Sequence, residues 1–152
     1  MERTKGRDEV QKSWVGDIPN THVRDYQRKR LYQAEDSCLY WGDVTILTSE
    51  QVQDIIRQIS EWANIESPTL IEDGHTLVYA TKDTISLPFP ITKTMPYIAH
   101  EMAHVINYNG SNADHHGKHF AGKYLEVVRF FIHEQAYKDL KKAFGKYKVK
   151  YI

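Results

Sequence analysis

His100 and His104 stand four residues apart in "IAHEMAH" (98–104), and Glu101 follows the first of them. A helix turns about 100° per residue, so the two imidazoles project about 40° apart and can reach one ion. Neutral imidazole is a good zinc ligand. Glu101 lies one residue round from His100, where it can touch a metal-bound water without ligating the metal. Zinc lowers the pKa of such a water towards neutrality, and the glutamate takes its proton as general base. The competing reading is a helix that carries two histidines and an outward-facing glutamate. At this chain's own His and Glu frequencies the pattern arises by chance in roughly 3% of such sequences, so its setting has to decide.

Two ligands are too few, because a catalytic zinc usually takes three protein groups and keeps a fourth position open. "NADHHGKHF" (112–120) supplies Asp114, His115, His116 and His119, and five of the eight histidines fall between residues 100 and 119. Spacing alone leaves the third ligand open among them. Glu126 reads as a ligand from the next helix, as a carboxylate steering a ligand histidine, or as a solvated side chain. Cleavage of a peptide would also need a group to stabilise the developing oxyanion. Tyr97, Tyr108, His119 and His75 are the nearest polar candidates, and among ten tyrosines a chance neighbour is common. His22 and His133 lie outside the motif and receive no role.

The elements that must hold these residues are legible in part. "TSEQVQDIIRQISEWANI" (48–65) carries Val52, Ile55, Ile56, Ile59, Trp62 and Ala63 on one helical stripe, with Thr48 and Gln51 spaced as a capping box. "PTLIE", "HTLVYAT" and "TISLPF" (68–89) are rich in strand formers and separated by turn residues, which predicts a small, mostly antiparallel sheet closed by Pro88 and Pro90. "VTILT" (44–48) alternates weakly, as a short strand would. A helix is expected from Thr94, its N-cap, through the motif to about Asn107, with Pro96 in its first turn. "NGSNADHHG" reads as a loop. From about Gly117 one long helix should present Ala121, Tyr124, Leu125, Val128, Phe131, Ile132, Ala136 and Leu140 on one face and end at Gly145. The fold class is therefore α+β. Residues 1–22 read as a mobile arm, 23–145 as the domain and 146–152 as a basic tail.

The chain has 152 residues, 41% of them hydrophobic, 26% charged, and no formal net charge. That suffices for one domain with a real core, and nothing in the overall charge argues for nucleic acid or membrane. No apolar run approaches the roughly 20 residues that cross a bilayer, and the first ten residues lack the apolar stretch of a signal peptide. With Cys38 the only cysteine, no intrachain disulfide forms. A cytoplasmic protein is the expectation. The tail from Tyr137 holds six lysines against Asp139, interleaved with aromatics. Such a tail suits single-stranded nucleic acid. A solvated helix end complementing the helix dipole is favoured, because the chain as a whole is neutral.

"HEMAH" followed by "HGKHF" resembles the zincin metallopeptidases, in particular the SprT-like group, which share HExxH, a loop and an HGxxF-type motif. His116, Gly117 and Phe120 occupy the places of the latter. A closer resemblance is to a family of small zinc metallohydrolases of actinobacteria and their phages. Its RDxQR…YxAE opening is matched by Arg24, Asp25, Gln27, Arg28, Tyr32, Ala34 and Glu35, and its YLE continuation by Tyr124, Leu125 and Glu126. The resemblance covers roughly residues 24–135. It implies a minimal zincin core of helix, small sheet, active-site helix, loop and supporting helix. It also implies one zinc held by His100, His104 and His116, with Glu101 as base; His119, in an x position of HGxxF, is a departure. The expectation is a zinc metallopeptidase whose peptide lies along an edge strand near "DTISLPF". The alternatives are a zinc hydrolase of a non-peptide substrate and a non-catalytic zinc-containing module associated with nucleic acid.

Overall fold

A computed structural model describes residues 25–72, 77–88, 90–110 and 114–152. The expected arm lies outside these residues, as do His22, Arg24 and His75. The chain is α+β: helices α1 (Arg28–Asp36) and α2 (Ser49–Ala63), strands β1 (Thr69–Ile71), β2 (Tyr79–Ala80) and β3 (Thr84–Ser86), then helices α3 (Met95–Tyr108), α4 (Lys118–Val127) and α5 (Glu134–Lys146). Among the described residues no helix is long and apolar enough to cross a membrane.

Helix α2 starts where its sequence says it should. The Thr48 hydroxyl accepts from the Gln51 N–H at 3.1 Å and the Gln51 side chain accepts from the Thr48 N–H at 2.9 Å, so both halves of the capping box are made. Val52, Ile56 and Ile59 are buried along its stripe. The segment "VTILT" before it is not a strand. Val44 and Ile46 are more than half exposed, and no described strand lies alongside to pair with it. Among the described residues only the Leu47 N–H is tied across, to the Lys93 carbonyl at 2.8 Å.

The sheet is mixed, where a mostly antiparallel one was expected. Its order is β1-β3-β2, with β1 parallel and β2 antiparallel to β3. A tight turn closed by the Thr81 N–H to Thr84 carbonyl bond (2.8 Å) folds β3 back on β2. Ile85 and Ser86 are buried and β3 takes the centre. Both sides of β3 are paired, so Thr84–Ser86 of "DTISLPF" is not itself an edge strand. Among the described residues β1 and β2 are the outer strands of the sheet.

Helix α3 begins after Thr94 with Pro96 at its second position, as expected, and every residue from Ile98 to Tyr108 is buried. A helix buried nearly all round belongs at the centre of a fold, and this one takes His100, Glu101, His104 and Asn107 in with it. It packs on α2, α4 and two strands.

The expected long C-terminal helix is broken. Helix α4 passes into one wide π turn (Val128–Ile132), and His133 adopts an extended backbone that starts α5 anew. The His133 ring accepts the Ala136 N–H at 3.0 Å, so this histidine is a helix cap. Gly145 does not end α5. The end comes after Lys146, where Lys148 takes a left-handed conformation (φ 59°) and the Val149 N–H reaches back to the Phe144 carbonyl at 2.8 Å. The buried Gln27 side chain then pairs with both backbone groups of Lys150, at 2.9 and 3.0 Å. A Cβ on Gly122 would stand 1.9 Å from the Ile152 carbonyl oxygen, so α4 requires glycine where it passes the last residue.

Candidate metal centre

His100 and His104 project from one face of α3, and the turn before α4 brings His116 over them. The three rings are buried and bring one nitrogen each within 4.8 Å of one another. His116 Nε2 lies 3.3 Å from His100 Nε2 and 3.1 Å from His104 Nε2.

Carboxylates set the outer side of two rings. His100 Nδ1 donates to Glu35 Oε2 at 2.5 Å, and His116 Nδ1 donates to Asp25 Oδ2 at 2.9 Å. The His116 backbone N–H also reaches Asp25 Oδ1, at 3.2 Å. With the proton on Nδ1, each Nε2 turns a bare lone pair inward. Two lone pairs facing each other near 3 Å repel unless a cation lies between them. A tetrahedral zinc with nitrogen ligands at about 2.0–2.1 Å keeps those ligands about 3.3 Å apart. The donor set therefore fits a metal ion.

Burial first, and then the neighbouring His116, His100 and His115, hold the His104 imidazole well below its ordinary value, in the neutral form that ligates. Burial disfavours the Asp25 carboxylate, but its electrostatic attraction to and hydrogen bonds from His116, with His115 beyond it, outweigh that and keep its pKa below the usual range. Glu35 is fully buried. Tyr124 donates its hydroxyl to the same Glu35 oxygen and meets the Tyr40 hydroxyl at 2.7 Å. Burial, reinforced by the Glu35 charge, raises the Tyr124 pKa well above that of a free phenol, so it stays a donor.

Phe120 locks the cluster. Its ring stacks on His104 at 4.1 Å and lies 5.2 Å from both His100 and His116. Tyr108 also lies nearly parallel to the His104 ring, at 5.5 Å. Gly117 is needed because a Cβ there would lie 2.4 Å from the Asp114 carboxylate. That carboxylate is occupied by the start of α4, accepting from the His119 N–H (2.9 Å), the Phe120 N–H (3.2 Å) and Asn107 Nδ2 (2.9 Å).

The remaining candidates separate cleanly. Asp114 is a helix cap. His115 takes a left-handed backbone (φ 55°), and its Nδ1 meets the Tyr108 hydroxyl at 3.1 Å, outside the trio. His119 also stays outside the trio. Glu126 points to solvent on α4 and pairs with Lys123 at 4.0 Å, so the solvated reading holds for it. Tyr97 packs on Trp41, away from the cleft. The cleft encloses about 440 Å³ and is lined by Glu101, His104, Tyr108, His115 and His116, together with Asp25, Arg28 and Val78–Ala80 of the β2 segment. Glu101 is 1% exposed.

Sequence reasoning left Asp25 and Glu35 without a role, although both stand in the "RDYQRKRLYQAE" stretch. Two acids in that stretch were the available signal, and no spacing rule links them to histidines 91 and 65 residues away. No family model matches the chain, nor does any curated protein or solved structure. The chemistry of the site rests on its own geometry.

Proposed function

We propose that the chain is a zinc-dependent hydrolase of zincin type that cleaves peptide bonds. One observation carries this reading: three buried imidazole nitrogens converge on one point while Glu101 lines the same cleft. The HExxH and HGxxF residues that resemble SprT-like peptidases are the residues so gathered. Three imidazoles favour zinc among the common divalent ions.

Zinc, when bound, supplies a Lewis acid that activates water and polarises a carbonyl. The chain does the rest. Glu101 accepts the proton of the attacking water and passes it to the leaving amine. Tyr108 donates a hydrogen bond to the developing oxyanion. Burial first, then the charges of Glu101, Asp25 and Asp114, raise the Tyr108 pKa, so it keeps the proton it donates. The β2 segment Val78–Ala80 lines the cleft, and an extended peptide would lie beside it.

The test is digestion of a peptide library by zinc-loaded protein, with Glu101→Gln as control. The expected result is cleavage that falls about 10²–10⁴-fold in the variant while bound zinc is retained. Cleavage of an ester or an oligonucleotide in place of any peptide would refute the choice of substrate. Cleavage that Glu101→Gln leaves intact would refute the mechanism.

A further inference from the structure

Beside the metal cleft lies a second groove, enclosing about 980 Å³ and walled by Tyr26, Arg30, Asp114, Lys118 and Lys150 among others. Its three cations come from three separate places: α1, the start of α4 and the segment after α5. None of them enters an ion pair among the described residues. The acid on the wall, Asp114, has both oxygens committed to the start of α4 and to Asn107. The groove is therefore cationic on a chain whose formal net charge is zero. Tyr26, 72% exposed, adds a ring at its side.

The groove and the cleft share a wall. Asp25 and His116 line the cleft, and the residues that follow them, Tyr26 and Gly117, line the groove. A polypeptide extended from the cleft past His116 would meet these three cations. Exposed cations do little for stability on their own, but a complementary anionic partner gains both steering and register from them.

We propose that this groove binds an acidic stretch of polypeptide, flanking the segment that occupies the metal cleft; the proposal rests on the peptidase reading above and narrows its substrates to chains with a cluster of Asp or Glu. Single-stranded nucleic acid fits less well, because it stacks successive bases on successive rings and Tyr26 is the one aromatic among the described residues lining this groove. The aromatics of the C-terminal segment are engaged elsewhere. Phe144 is buried and holds Tyr151 at 5.9 Å, and Tyr137 is covered by Arg129 at 4.6 Å and by Lys141 at 5.7 Å.

The experiment is fluorescence anisotropy of zinc-loaded full chain with a labelled Glu-rich peptide, its Gln-for-Glu counterpart and a single-stranded oligonucleotide of similar length. Wild type is compared with Arg30→Gln/Lys118→Gln/Lys150→Gln, and zinc per chain and thermal midpoint are recorded for both. The Glu-rich peptide should bind, its counterpart should not, and added salt should weaken binding. The triple variant should bind about tenfold more weakly with unchanged zinc and midpoint. If the triple variant does not fold, Lys118→Gln alone, at an exposed helix start, and the salt series decide. Equal binding of the two peptides, or binding that the substitutions leave unchanged, overturns the proposal. An oligonucleotide bound in place of the peptide through the same residues overturns the choice of partner. Loss of zinc or of peptidase activity with acidic-peptide binding intact counts against the peptidase reading and not against the groove.

Discussion

Glu35 Oε2 lies 2.5 Å from His100 Nδ1 across 65 residues of sequence, with both side chains fully buried. That contact ties α1 to the histidine cluster that could hold a metal ion. It orients the His100 ring and fixes the tautomer that turns Nε2 towards the other two histidines. Glu35→Gln keeps the volume and removes the charge. Zinc affinity, read by competition with a chromophoric chelator, should fall about 10–100-fold. Unchanged affinity would mean that Glu35 only fills the core.

Phe120 touches all three histidines and has no exposed surface. Phe120→Ala should destabilise the metal-free protein by about 3–5 kcal/mol, from lost burial and the cavity left behind. Urea unfolding monitored by circular dichroism measures it. A loss under about 1 kcal/mol would show that the site collapses around the gap, contrary to a tightly packed centre.

His104 gives the metal-free protein a defined response to pH. In the fold, burial and the neighbouring histidines hold its pKa well below the ordinary 6.5. The unfolded chain regains the ordinary value, so it binds the proton more readily than the native state. The stabilisation is therefore complete above about pH 6.5 and is lost as pH falls from there through the folded value. The thermal midpoint in chelator should decline between about pH 7 and about pH 5, and His104→Gln should flatten part of that decline. Equal slopes in the two proteins would contradict the assignment.

Local signals in the sequence translated directly into structure. The Thr48–Gln51 capping box, the apolar stripe of α2 and the Thr94 start of α3 each depend on residues within one or two turns of one another. The histidine pair four apart was legible for the same reason. Elements defined by partners far along the chain were not. "VTILT" has a strand's composition but no strand beside it. The centre of the sheet fell to β3 because its residues are the more deeply buried, which periodicity over three residues cannot reveal. The continuous apolar stripe from Ala121 to Leu140 hid the π turn, since one extra residue per turn shifts the stripe without interrupting it. His133 was an unfamiliar cap, so the break carried no glycine or serine to mark it; Gly145 marked the end of α5 to within one residue, but the left-handed residue beyond it is Lys148. The carboxylates Asp25 and Glu35 are joined to the centre only by tertiary packing, and only their places in the "RDYQRKRLYQAE" stretch hinted at a shared purpose.

The central claim is that His100, His104 and His116 hold one zinc ion. The most direct measurement is bound zinc per chain, by mass spectrometry or atomic emission, for wild type and His116→Ala purified without added metal. About one zinc in the wild type and a large loss in the variant is the expected result. A wild type that takes up no zinc after reconstitution, or a His116→Ala protein that keeps a full equivalent, would contradict it.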